Sequence, residues 1–269
     1  MSIALRRVQV THSAACASPV QALAEINLEI AGGERVAIIG PSGAGKSTLL
    51  RLLATAQRPD SGTVELLQQQ PWALGGGSLQ KLRARIGLIQ QAPPLPPRQR
   101  VVTAVAAGRA GQWSRCKSLL NLIYPLDVAG IHLVLGRLDL ADKIFDRCDQ
   151  LSGGQLQRAA IARTLYQQPE LILADEPVSA MDPVLAEHTL ALLNREAQQR
   201  SATLVVSLHN LELALRHFPR VIGLRRGRIL FDRAAAEIGE GELELLYANE
   251  QLLAPQQSPL PQPPANRCC

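Results

Sequence analysis

Gly40-Pro41-Ser42-Gly43-Ala44-Gly45-Lys46-Ser47 is the stretch from which the fold of this chain can be read. It fits G-x-x-x-x-G-K-[ST], the spelling of a phosphate-binding P-loop. Its glycines let the backbone curl until successive N–H groups face one anion, and a helix opening near Lys46 adds its positive dipole end. On this reading residues Gly40 to Ser47 cradle the phosphates and Lys46 reaches the β- and γ-phosphates. The Ser47 hydroxyl holds Mg2+, and Thr48 supports the α-phosphate. The context agrees, because the apolar run Arg35 to Ile39 precedes the loop and Leu49, Leu50, Leu52 and Leu53 follow at helical spacing. Strand, loop and helix in that order open an α/β unit, and the expected ligand is a nucleoside triphosphate.

Downstream, Leu171-Ile172-Leu173-Ala174 reads as a buried strand that ends on two carboxylates, Asp175 and Glu176, with Pro177 stopping it. Asp175 suits Mg2+, and Glu176 suits a base for an attacking water. A second buried strand is expected at Thr203 to Ser207, after a helix from Pro183 to about Gln199 that carries Pro at its first position. Residues 3–10 and 24–30 read as short strands before the turn Ala31-Gly32-Gly33, and Ile86 to Ile89 reads as another. Gly75-Gly76-Gly77 marks a loop. Prolines cluster at Pro93, Pro94, Pro96 and Pro97, and a mostly helical stretch follows from Val101 to about Leu140, interrupted near Tyr124-Pro125. It reads as an inserted lobe. Val221 to Leu224 and Arg228 to Phe231 form a hairpin around Arg226-Gly227, and the proline-rich segment 255–264 reads as a solvated tail.

Composition narrows the function. Over 269 residues the net charge is +5, and the basic excess is spread along the chain, which suits phosphate-bearing ligands or a membrane surface. Aromatics are only 3%, too few for a base-stacking nucleic-acid surface, so no nucleic-acid partner is expected. The core must be built from Leu, Ile, Val and Ala. Cys16, Cys116, Cys148, Cys268 and Cys269 form neither a C-x-x-C pair nor a zinc pattern, which reads as a reducing compartment. Cys268-Cys269 does not match the prenylation box. Neither a signal peptide nor a long apolar run is apparent, so the chain is not expected to span a bilayer.

Between the two phosphate-site motifs stands Leu151-Ser152-Gly153-Gly154-Gln155, followed by Leu156-Gln157-Arg158. This resembles the signature of the ATPases of ABC transporters, and the resemblance covers roughly residues 3–235. It implies a P-loop NTPase core of α/β class with an N-terminal antiparallel β-subdomain and an inserted α-helical subdomain. The cassette would take residues 1–250, the helical part about 92–165, and the tail 251–269. Further residues are implied one at a time. Gln91, with Gln90 as the adjacent alternative, resembles the glutamine that senses Mg2+ and contacts the membrane partner. Ser179-Ala180-Met181-Asp182 resembles the D-loop, and His209 the switch histidine at the γ-phosphate. Ser152, Gly153, Gly154 and Gln155 at a helix N-terminus make a second anion site. In the family such a site completes the ATP site of a second subunit, so the resemblance implies a homodimer in the ATP-bound state.

Within the class, the sequence is most similar to ATPases of phosphonate importers. The similarity rests on Gly108-Arg109, the stretch Trp113 to Pro125 with Ser118-Leu119-Leu120, the run Leu171 to Pro183, and Ser207 to Arg216. It implies two transmembrane permease subunits, an extracytoplasmic solute-binding protein, and a peripheral place on the cytoplasmic face of the inner membrane. The cofactors implied are ATP and Mg2+. The alternative is the ATPase of a transporter for another cargo, such as an amino acid, an inorganic ion or a lipoprotein. A soluble ABC protein of DNA repair or translation would carry tandem cassettes or coiled coils, and a binding-only cassette would not keep Glu176 and His209. Two departures stand out. No Phe, Trp or Tyr precedes Trp72 to stack on adenine, which leaves His12 or the surroundings of Val20, and Thr103-Ala104 replaces the usual Glu-Asn.

Overall fold

Alternating apolar residues and a β-rich N-terminus give the first layer. In the computed structural model, which describes residues 2–12, 20–113 and 125–248, β1 (Ile3–His12) pairs antiparallel with β2 (Val20–Ile30) and β4 (Ser61–Leu66). The second sheet has the order β5-β6-β7-β3-β8-β9. It is built from β3 (Arg35–Ile39), β5 (Ile86–Ile89), β6 (Leu171–Asp175), β7 (Thr203–Ser207), β8 (Arg220–Arg225) and β9 (Arg228–Ala234). All its pairings are parallel except β8 with β9, the expected hairpin. Every residue of β6 and β7 is buried, which is why they read as unbroken apolar runs rather than alternating ones.

Eight α-helices are described: α1 (Lys46–Leu53), α2 (Gly76–Ala84), α3 (Val101–Ala106), α4 (Val128–Gly136), α5 (Gly153–Gln167), α6 (Pro183–Gln199), α7 (Leu211–His217) and α8 (Glu240–Tyr247). The parallel sheet divides the interior because successive side chains of a strand point to opposite faces. Val36, Ile38, Leu171, Leu173 and Val205 pack with α1 and the antiparallel sheet. Ala37, Ile39, Ile172, Ala174, Leu204 and Val206 pack on the other face with α3, α4, α5 and α6. The P-loop and the carboxylate-bearing strand end are thereby fixed from both sides.

Several elements differ from the expectation. Gly75-Gly76-Gly77 is not a loop but the cap and first turn of α2, anchored by the buried Leu82. Gly76 and Gly77 face open space, so the helix tolerates them there. Both N-terminal strands run longer than expected, to His12 and from Val20, while β4 and α8 add to the predicted set. Residues 114–124, which include most of the lengthened stretch, and the proline-rich end with Cys268-Cys269 lie outside the described residues.

Candidate functional site

The P-loop follows β3 and opens α1, as the motif demands. Gly40 has φ 149°, and a Cβ there would lie 2.0 Å from the Leu224 carbonyl oxygen. Gly45, with φ 104°, would put one 2.5 Å from the carbonyl of Ala22. Only glycine fits those two corners. The helix α1 begins without a side-chain cap and has no acidic residue in its first turn, so its dipole end is left for an anion. Lys46 is buried, and its Nζ donates to the carbonyls of Gly40 at 2.6 Å and Pro41 at 3.0 Å, which bends the ammonium over the loop. A curled glycine loop, an uncapped helix start and a poised lysine fit a polyphosphate.

Two strands from β3, beyond β7, β6 delivers the carboxylates. Asp175 stands opposite Ser207 of β7 in parallel register, and the Ser207 hydroxyl donates to Asp175 Oδ1 at 2.7 Å. The same hydroxyl accepts from the Glu176 backbone N–H at 3.0 Å. Glu176 then leaves the strand with φ 47°, in the left-handed region, which costs a non-glycine residue about 1–3 kcal/mol and aims its side chain away from the strand. That side chain is bracketed. Gln91 Nε2 donates to Glu176 Oε2 at 2.7 Å, and His209 Nε2 lies 2.5 Å from Oε1. An ionised carboxylate only accepts, so both neighbours are satisfied by the same group.

Of the two candidate glutamines, Gln91 is the one whose side chain reaches Glu176. The carbonyl of Gln90 is instead held by the Nε2 of the buried Gln157 at 3.1 Å. Ser152 caps α5, its Oγ accepting from Gln155 N at 3.3 Å while Gln155 Oε1 accepts from Ser152 N at 2.9 Å. Ser152 and Gly153 are exposed, and a Cβ on Gly154 would lie 3.1 Å from the Ala180 carbonyl. The signature therefore starts against the Ser179–Asp182 segment. The Asp182 carboxylate caps α6, accepting from Leu185 N at 3.0 Å. At the open end of α1, His12 Nε2 lies 3.0 Å from Thr48 Oγ1, and His12 pairs across the sheet with the exposed Val20.

Ser207 and Gln157 stood in quoted stretches of the sequence, but no part in the site was read for either. The one signal for Ser207 was a polar residue closing an apolar strand, and for Gln157 its place two residues after Gln155 of the signature. Among the described residues no group of three or more His, Cys, Asp and Glu could hold a metal alone. Ser47 and Asp175 would need phosphate oxygens to complete a Mg2+ shell, which is how this ion is usually held.

A glycine-cradled anion site at a helix start, with a carboxylate pair at a nearby strand end, defines a P-loop nucleoside triphosphatase. Residues 23–179 match the family model described as ABC transporter, and the chain belongs to that family. It is 65% identical to the phosphonates import ATP-binding protein PhnC 1 of Pseudomonas aeruginosa, over 98% of this chain and 97% of that protein. It is 59% identical to PhnC of Pseudomonas fluorescens, over 97% of each. A solved dimeric ATP-binding cassette in a post-hydrolysis state, bound to ADP and Pi, is 30% identical and superposes with a TM-score of 0.75. That match covers 87% of this chain and 98% of the other.

Proposed function

We propose that this chain is the ATP-hydrolysing subunit of a phosphonate importer, acting on separate membrane permease subunits. The observation that carries the reading is identity of 65% to an importer ATPase over nearly the whole length, in a chain whose Glu176 is buried between Gln91 and His209. Lys46 and the loop N–H groups bind the phosphates. Glu176 takes the proton of the attacking water, Gln91 positions that water and senses the metal, and His209 contacts the γ-phosphate. Mg2+, held by Ser47 and Asp175, would neutralise charge on the β- and γ-phosphates. Charge stabilisation at the leaving phosphates falls to Lys46 and the helix dipole.

Two copies pair head-to-tail, so that Ser152, Gly153, Gly154, Gln155 and the Asp182 loop of each face the nucleotide of the other. Residues 1–250 act as the cassette, with the helical part at about 92–165 facing the permeases and residues 251–269 as an appended tail. The subunit sits on the cytoplasmic face of the inner membrane, supplied by an extracytoplasmic solute-binding protein. Consistent with a peripheral position, no helix among the described residues is long and apolar enough to cross a membrane.

The test is growth of the source cell carrying Lys46→Ala, with a phosphonate as sole phosphorus source and orthophosphate as control. Loss of growth on phosphonate alone is expected. Normal growth on phosphonate, in a cell with no second importer, would assign the ATPase to another cargo.

A further inference from the structure

The Leu224 carbonyl that closes Gly40 to a side chain lies near the end of β8, and the chain then turns back at Arg226-Gly227 into β9. That turn rests against the phosphate loop. Gly227 is buried and left-handed, with φ 73°, and its N–H donates to the Ala44 carbonyl at 2.9 Å. Its own carbonyl accepts from the Ala24 N–H of β2 at 2.8 Å. A Cβ on Gly227 would lie 2.6 Å from the Ala22 carbonyl oxygen, the same oxygen that closes Gly45 to a side chain. Glycine alone allows so close an approach on both sides of that oxygen. The turn is therefore the back wall of the phosphate loop, fixed by β2 and Ala44.

A further restraint comes from the arginines that close the hairpin. Arg225 and Arg228 stand opposite each other in the β8–β9 register, and like charges so placed repel. They diverge. Arg228 reaches Glu25 of β2 at 3.4 Å, between exposed side chains, where an ion pair contributes little. Arg225 turns the other way, one Nη donating to the Leu245 carbonyl and the other to the Ala248 carbonyl at 2.8 Å. Those carbonyls end α8, and the last carbonyls of a helix find no partner within it. The last turn of α8 has no basic residue of its own. The guanidinium from β8 supplies both the donors and the positive charge that this end of a helix dipole favours. α8 is itself anchored by Leu246, which is fully buried in the core beneath it.

We propose that Arg225 is a positioning residue for the phosphate loop. By tying the end of α8 to the strand behind Gly40, it sets the Arg226-Gly227 turn against Ala44 and keeps the loop N–H groups in the arc that receives the phosphates. Arg225 acts through Gly227 and Ala44, not on the nucleotide. The C-terminal helix thereby belongs to the nucleotide site mechanically. Coupling of this kind is reciprocal, so phosphates seated in the loop also steady α8. The inference needs the phosphate site alone and is independent of the transported cargo.

The experiment is steady-state ATP hydrolysis by the purified full chain, with the folded fraction measured alongside. Arg225→Gln is expected to raise KM for MgATP by roughly fivefold, with kcat per folded chain within about twofold, the pattern of lost binding common to ground state and transition state. Arg225→Lys keeps a cation and a donor at the helix end and is expected to hold KM within about twofold of wild type. A purely structural part would instead lower the folded fraction and leave KM unchanged, and that result for Arg225→Gln would overturn the proposal. Hydrogen exchange reads the reverse direction in the unaltered chain. MgADP brings phosphates to the loop without the γ-phosphate that a second copy would share. It is expected to slow exchange in α8 by roughly threefold more than in α4, which packs on α3 and α5. Equal slowing in the two helices would also overturn the proposal, and this comparison decides alone if Arg225→Gln fails to fold. A wild-type chain that binds no MgADP would instead overturn the placing of the phosphates at Gly40 to Ser47.

Discussion

Glu176 is under three constraints at once: a left-handed backbone, 8% exposure, and two side chains on its carboxylate. Glu176→Gln keeps the volume and the bond to Gln91 in a flipped form but removes the proton acceptor. Phosphate release is expected to fall by roughly 10²–10⁴-fold, as for loss of a general base, with ATP binding retained in a nucleotide titration. Unchanged turnover would take the base role from Glu176. Ser207 has a quieter part, since its hydroxyl holds Asp175 and the Glu176 N–H together. Ser207→Ala leaves a buried carboxylate without its donor, a loss of about 1.5–3 kcal/mol that urea unfolding would read. The P-loop and Glu176 could be picked out from the apolar strands that precede them and His209 from the family resemblance, and the structure sets His209 against Glu176. Ser207 could not be, because a serine at a strand end is commonplace until the register sets it opposite Asp175.

At the scale of elements, the buried strands were legible and the half-exposed ones were not. In β4 only Val64 and Leu66 are buried, and in α8 only Leu246, so neither leaves enough of a period to read. In β1 the alternation breaks where the register shifts between Leu5 and Val8 and Arg7 takes φ 50°. Helix pairing offers a sharper test. Asp127 caps α4 through Gly130 N at 2.9 Å and accepts the Tyr166 hydroxyl of α5, also at 2.9 Å. Burial first, then the bond to Asp127, pushes the Tyr166 hydroxyl up to about 12, although Arg109 pulls the other way. The folded chain therefore keeps this proton after the unfolded chain, titrating near 10, has lost it. The contribution is whole below about pH 10 and is lost as pH rises toward 12. Tyr166→Phe should cost about 1–2 kcal/mol at pH 8. In urea unfolding the gap to wild type should narrow steadily above pH 10, and a gap constant to pH 11.5 would show that the hydroxyl does not couple α4 to α5.

At the scale of the whole molecule, α1 at Lys46 and α5 at Ser152 are, among the described residues, two helix starts suited to an anion, but there is one γ-phosphate per nucleotide. The hydrogen bonds of Ser152 and Gln155 are internal to their capping box, and Ser152 and Gly153 face outward. On the head-to-tail pairing proposed above, this outward-facing anion site would gain its phosphate from a second copy, and closure would use both starts twice. Any ligand bound by the dimer and not by the monomer drives association by mass action, so ATP should act as the link and its hydrolysis as the release. Glu176→Gln, expected to bind but scarcely hydrolyse, is the form in which that link should persist. Light scattering behind size exclusion is expected to give twice the single-chain mass with saturating MgATP and the single-chain mass without nucleotide. Ser152→Glu, which sets a carboxylate where the partner's phosphate would approach, should hold the Glu176→Gln chain at single mass even with ATP, because like charges meet at the one place the two copies must share. A double mass that survives Ser152→Glu would mean that the copies associate through another face, and a single mass for Glu176→Gln with ATP would leave the α5 start to some ligand other than a second nucleotide.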